Sequence, residues 1–213
     1  MSSSKPETST SRSRQQRVGD ALRQDTRKRL LEAAAEEFPA RGYAGTTVTR
    51  LAAAAGVSVQ TLYLAWGSKR ALLRGYVEQA LAGNLQSPEN ASRRFTGLTP
   101  HDRLTELAAL VTEIAQRAAI GWTLYRDASA VDPEIAADWN ELQILRHRTF
   151  SRILADIPAN ALAHGLTQRS AVDTAWTVAS PESYDLLVHR LGYSLAEFRD
   201  WMTQTLLTAL LAA

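Results

Sequence analysis

The sequence predicts an all-α protein, and two observations carry that reading. Ser58, Ser68, Thr99, Asp132, Ser180 and Ser194 each stand where a side-chain oxygen would accept the first free backbone N–H groups of a helix. Pro100, Pro133 and Pro181 each follow such a cap at the first helical position, where no N–H is needed. Nowhere do apolar and polar residues alternate over a strand's length between hairpin turns.

The elements follow in order. Residues 1–22 are rich in Ser, Thr, Arg and Gln and are expected to form a disordered basic arm. Helices are then expected at about 24–40, 47–55, 59–66 and 69–83. The stretch "GNLQSPENASRRFTGLTP", rich in Gly, Pro, Ser and Asn, reads as a boundary. Beyond it, helices are expected at about 100–119, 121–130, 133–157, 167–179, 181–191 and 194–212, with Gly121 breaking the first from the second. Ser194 and Glu197 have the spacing of a capping box. The chain thus divides into the arm, a helical unit over 23–83 and a second helical domain over 84–213.

Charge is divided along the same line. The formal net charge is only +2, yet residues 1–82 carry 13 Lys/Arg against 7 Asp/Glu and the remainder 11 against 15. A basic first third joined to an acidic remainder points to a polyanion as the partner of the first part. The chain has no cysteine, which excludes disulfides, thiolate metal sites and cysteine nucleophiles. Its N-terminus lacks the apolar core of a signal peptide, and runs such as "LLTALLAA" fall short of the ~18 residues of a membrane span. A soluble, cytoplasmic protein is expected.

The stretch "AAAAGVSVQTLYLAWGSKRALL", residues 52–73, holds a glycine in mid-pattern, a serine two places later and a helix of about eight residues. Gly56 allows a positive φ that ends one helix and turns the chain sharply. Leu51, Ala52, Ala55, Leu62, Ala65 and Trp66 would bury one face of each short helix, a helix-turn-helix. The outward face of the second helix is then Gln60, Thr61 and Leu64, with Tyr63 at its flank. Glutamine pairs bidentately with adenine, a Thr or Leu methyl meets the thymine methyl, and hydroxyls reach phosphates. Lys69 opens the next helix, where its ammonium and the helix N-terminus would share a phosphate. Short helices joined by a glycine turn also occur in all-α proteins that bind no DNA, and a basic tail is often only solvated.

Here a resemblance adds to the residues themselves. "GYAGTTVTRLAAAAGVSVQTLYLAWGSKRALL" resembles the signature of the tetracycline-repressor-like (TetR) family of transcriptional regulators. Thr46-Thr47, Leu51-Ala52, Ala55-Gly56-Val57-Ser58, Thr61-Leu62-Tyr63, Trp66, Ser68-Lys69 and Leu72 are in register over about residues 26–75. The resemblance implies a three-helix DNA-binding unit, a linker helix, and a C-terminal helical domain that dimerises and binds a small ligand. It implies phosphate contacts at Thr47, Tyr63 and Lys69, base contacts around Thr49, Gln60, Thr61 and Leu64, and Ser58 at the start of the reading helix. Gln60 and Leu64-Ala65 depart from the family's usual residues, so base preference does not carry over.

The resemblance also places a ligand pocket among the helices from 100 to 157. Inward candidates are Leu107, Val111, Ile114, Trp122, Tyr125, Trp139, Leu142 and Arg146, although aromatics at helical spacing are core more often than pocket. The last helices carry a wide apolar stripe of Phe198, Met202, Leu206 and Leu210, widened by Trp201. With Trp176 these residues are the expected homodimer interface.

An enzyme, or a helical adaptor without DNA affinity, is the rival reading. His101, His147, His164 and His189 share no metal-ligand spacing, and His189 follows Asp185 at surface ion-pair distance. No Gly-rich phosphate loop and no nucleophile elbow are present, so neither catalytic residues nor a cofactor are expected. The function expected is therefore a regulator, most simply a repressor, that binds double-stranded operator DNA and answers to a small effector.

Overall fold

The computed structural model describes residues 14–82 and 93–212. Its helices are α1 (Arg14–Gly45), α2 (Val48–Ala54), α3 (Val59–Trp66), α4 (Lys69–Ala82), α5 (Pro100–Ser129), α6 (Pro133–Leu154), α7 (Gln168–Val178), α8 (Pro181–Tyr184) and α9 (Leu195–Leu210). A 3-10 turn covers Ala159–Ala161, and α8 runs on into a π-helical stretch over Asp185–Arg190. No strand forms among the described residues. An antiparallel bridge between Leu162 and Leu211 ties the end of α9 to the 3-10 turn, with Ala212 N donating to Ala161 O at 3.0 Å.

The expected caps are all made. Ser58 Oγ accepts from Thr61 N at 3.0 Å, Ser68 Oγ from Ala71 N at 3.0 Å and Thr99 Oγ1 from Asp102 N at 3.1 Å. Asp132 Oδ1 takes Glu134 N at 3.0 Å, and Ser180 Oγ takes Ser183 N at 3.1 Å. Ser194 and Glu197 close the capping box from both sides, at 3.2 and 2.8 Å. Each satisfies a donor that the first helical turn leaves open.

Helix α1 starts at Arg14, not near residue 24, and turns sharply at Gly42, where φ is 68°. Its early turns are polar but rich in good helix formers, and i,i+3 or i,i+4 pairs run along the exposed side: Arg23–Asp20, Arg29–Asp25 and Lys28–Glu32. The low apolar content expected to leave residues 14–22 disordered is the composition of a solvated helix. Residues 1–13 of the arm lie outside the described residues.

The second difference is at Gly121. It breaks nothing, because α5 is one helix from Pro100 to Ser129. Gly121 is instead a point of close approach: a Cβ there would lie 2.9 Å from Val77 Cγ2 on α4. The missing side chain lets the linker helix and the long central helix touch.

Two cores result. One joins α5, α6, α7 and α9 around Leu104, Leu107, Phe150, Phe198 and Met202. The other joins α1–α4 around Leu30, Phe38, Leu51, Leu62 and Leu72, and extends into Leu124, Tyr125, Ala128 and Ile135 from the end of α5 and the start of α6. Trp122 packs against both. The stripe on α9 belongs to the first core. Phe198, Met202, Leu206 and Leu210 have no exposed surface, since they pack within the subunit, so these four are corrected from interface to core. Trp176 and Trp201 remain half-buried.

Candidate nucleic-acid interface and ligand cavity

The turn between α2 and α3 is built as its residues require. Gly56 takes φ 63°, and Val57 N donates back to Ala52 O at 2.9 Å. Leu62 is fully buried on the inner side of α3. On the outer side Gln60 is exposed, Tyr63 is 48% exposed and Leu64 is 81% exposed. Thr61 is half-buried, its hydroxyl 2.8 Å from Ser58 Oγ, so part of its hydrogen-bonding capacity is held by the cap. Thr47 caps α2 by accepting from Arg50 N at 3.2 Å, and Thr49 is exposed one residue into that helix.

Lys69 sits differently from its expected neighbours. Its ammonium donates to Tyr43 O and to Thr46 O, both at 2.9 Å, and lies 4.0 Å from the centre of the Tyr43 ring. Burial pulls its pKa down. Two of the three ammonium donors therefore brace the turn that carries Thr47, which leaves one for another acceptor.

Two features escaped the sequence reading. The Arg27 guanidinium lies 3.8 Å from the centre of the Trp66 ring and donates to Ala65 O, clamping α1 to the end of α3. Glu37 takes both Arg41 and Arg50, at 3.0 and 2.9 Å, and the Arg50 hydrogen bond lowers its pKa. Partners 38 and 13 residues apart leave no periodic trace in a sequence.

Between α5 and α6 lies a cavity of about 190 Å³. Leu107, Val111, Ile114, Trp122, Trp139, Leu142 and Arg146 line it. Tyr125 does not. It is fully buried in the core shared with α1–α4, its ring 6.4 Å from that of Trp139, so it stands behind the wall. Burial raises its hydroxyl pKa, and that hydroxyl has no hydrogen-bond partner among the described residues. Gln143, Phe150 and Ile153 line the cavity unforeseen. Their signal was present, since they continue the i,i+3/i+4 stripe of Trp139, Leu142 and Arg146 along α6. Leu81 was not foreseeable, because it comes from the end of α4, in the other unit.

Arg146 donates from Nη1 to Ala179 O at 2.9 Å, from Nη2 to Trp176 O at 3.0 Å and from Nε to Gln143 Oε1 at 3.2 Å. Burial pulls its pKa down to about 10. His189 pairs with Asp185 at 3.2 Å on the surface, as its spacing implied.

Residues 30–76 match the family model described as bacterial regulatory proteins, tetR family. Among solved structures, NalD of Pseudomonas aeruginosa, the secondary repressor of the MexAB-OprM multidrug efflux pump, superposes with a TM-score of 0.69 at 19% identity over 89% of this chain and 98% of its own. A TetR transcriptional regulator of Chloroflexus aurantiacus gives 0.64 at 17%, over 91% and 100%. FadR of Bacillus subtilis in complex with stearoyl-CoA gives 0.62 at 16%, over 85% and 97%. No curated protein matches the chain. These three proteins are described as transcriptional regulators or repressors. The turn at Gly56, the capped reading helix and the match over residues 30–76 make the N-terminal unit a tetR-family helix-turn-helix, and the chain as a whole has the fold of that family of bacterial regulatory proteins.

Proposed function

We propose that the chain is a ligand-responsive repressor that binds a palindromic operator as a homodimer in the bacterial cytoplasm and is released by a small, largely apolar molecule. One observation carries this reading: a single helix belongs to both sites. Helix α4 begins at Lys69, directly after the reading helix, and supplies Leu81 to the cavity wall near its other end. It is pressed against α5 at Gly121 and joined to α6 by Arg70 and Arg74, which both reach Asp138. A ligand that favours one placement of α4 thereby favours one placement of α3, and differential affinity for the two shapes is all that release requires.

In this reading Thr49, Gln60, Thr61 and Leu64 meet base edges, while Thr47, Ser58, Tyr63 and the free donor of Lys69 meet phosphates. The homodimer uses the half-buried faces of α7 and α9, at Trp176 and Trp201, since the deeper residues of α9 are committed to the subunit core. NalD is described as a repressor and FadR, a transcriptional regulator, was solved with stearoyl-CoA, which supports joining DNA control to a ligand that carries an apolar chain. The test is selection of duplexes from a randomised pool by the purified full-length chain. The expected product is a palindrome with half-sites about one DNA turn, ~34–36 Å, or a multiple apart. Recovery of unrelated sequences, or of none, sinks the proposal.

A further inference from the structure

The polar part of the cavity wall is confined to one helix. Gln143, Arg146 and Thr149 all come from α6, and the α4 and α5 sides are apolar. Thr149 is turned back on its own helix, donating to Leu145 O at 2.9 Å. Gln143 is tied to Arg146 through its Oε1 and has only neutral amide donors left, which leaves Arg146 as the one charged group in the wall among the described residues.

Arg146 differs from the other arginines that are drawn into the protein. Arg70 holds Asp138, Arg94 holds Glu106 and Glu113, and Arg103 holds Asp156. Arg146 has no carboxylate bonded to it among the described residues. Its partners are two open carbonyls at the C-terminal end of α7, the Gln143 amide, and the rings of Trp176 and Phe150 at 4.7 and 5.6 Å. The acid acting on it through space is the exposed Glu182. Carbonyl dipoles at a helix end offset a cation only in part, and the lowered pKa reports that its surroundings disfavour the charge. Of five guanidinium N–H groups three are engaged, leaving one on each terminal nitrogen.

Resting on the reading that this cavity holds the effector, we propose that it selects an apolar monocarboxylate, with the carboxylate against Arg146 and the hydrocarbon between α5 and α6. A neutral ligand leaves the guanidinium without a counter-charge, and a dianion sets its second charge against an apolar wall. An apolar cavity of roughly 150 Å³ takes a benzene ring. The cavity here, about 190 Å³, therefore suits a small ring or a medium-length chain. Leu145, 56% exposed at the rim, gives a longer chain a way out.

The test is calorimetric titration of the full-length chain with hexanoate, octanoate and decanoate and with the three matching alcohols. At pH 7 the best acid is expected to bind about tenfold or more tightly than its alcohol, the scale of a charge-assisted hydrogen bond. In a pocket without a paired cation the order reverses, because a carboxylate loses more on leaving water than a hydroxyl does. Arg146→Met is expected to remove the acid's advantage and to leave the alcohol within about twofold of its original affinity. Should that variant fail to fold, the acid-to-alcohol ratio in the unaltered chain decides alone. Alcohols binding as tightly as acids, or equal losses for both in the variant, would overturn the proposal while leaving the cavity as an effector site. Binding of none of these compounds overturns the proposal and the effector site together.

Discussion

Arg70 on α4 holds Asp138 on α6 through both carboxylate oxygens, Nε to Oδ2 at 2.6 Å and Nη2 to Oδ1 at 2.8 Å. The Asp138 side chain is only 5% exposed, and Arg70 also reaches Glu134 at 2.8 Å. A planar fork matched to a planar carboxylate fixes orientation as well as distance, which a lysine in its place does not. The linker helix is thus registered on the cavity helix by a polar clamp lying beside the shared core.

Asp138→Asn is expected to lower stability by about 2 kcal/mol, less than for a fully buried pair because Arg70 is partly exposed. The Arg70 hydrogen bond holds the Asp138 pKa below its ordinary value. The unfolded chain therefore takes up this proton at a higher pH than the folded one. The contribution is complete above about pH 4–5 and is lost as pH falls through the folded value. Urea melts between pH 7 and pH 3 should show a smaller acid-side loss in the variant. Equal losses would mean that the clamp does not couple to folding.

Gly121→Ala places a Cβ 2.9 Å from Val77 Cγ2, a stiff side chain with no exposed surface. Crowding of this kind costs ~1–3 kcal/mol, offset by up to about 1 kcal/mol from the better helix propensity of alanine. A net loss of roughly 1–2 kcal/mol is expected, with Val77→Ala in the same chain recovering part of the Gly121 effect. Strict additivity of the two changes in thermal melts would show that α4 and α5 do not touch there in solution.

On the reading helix, Gln60→Ala should alter the preferred base at one position of each half-site and cost about 1–3 kcal/mol per half-site on the best operator. Tyr63→Phe should weaken all duplexes alike, since a phosphate contact carries no base information. Binding titrations against a selected duplex and its single-base variants distinguish the two. Uniform weakening by Gln60→Ala would remove Gln60 from the base-reading face.

Lys69→Met tests a side chain given two tasks. Tyr43 O and Thr46 O lose their donor, so stability should fall by ~1–3 kcal/mol. If the third N–H meets a phosphate, the slope of log affinity against log salt should shrink by about 0.9 per subunit, roughly 1.8 for the dimer. A fall in stability with an unchanged slope would make Lys69 a brace alone.

The local steps were legible in the sequence. Ser58, Ser68, Thr99, Asp132, Ser180 and Ser194 cap the helices they precede, and Gly56 turns the chain at positive φ, because a cap or turn is decided within four or five residues. Part of the cavity wall was legible too, at Leu107, Val111, Ile114, Trp122, Trp139, Leu142 and Arg146, since a helix face repeats every three or four residues. Three matters waited for the tertiary structure. Gly121 has the same composition signal whether it ends a helix or lets another approach, and only Val77 opposite it decides which. An apolar stripe such as that on α9 states that it will be covered, not by what, and α5 and α7 of the same subunit cover it. The setting of Arg146 comes from α7, with no acid bonded to it among the described residues, and that of Asp138 from Arg70 and Arg74 on α4. Periodicity records which side of a helix is wet or dry, whereas the pairing of two sides is settled by packing between residues far apart in the chain.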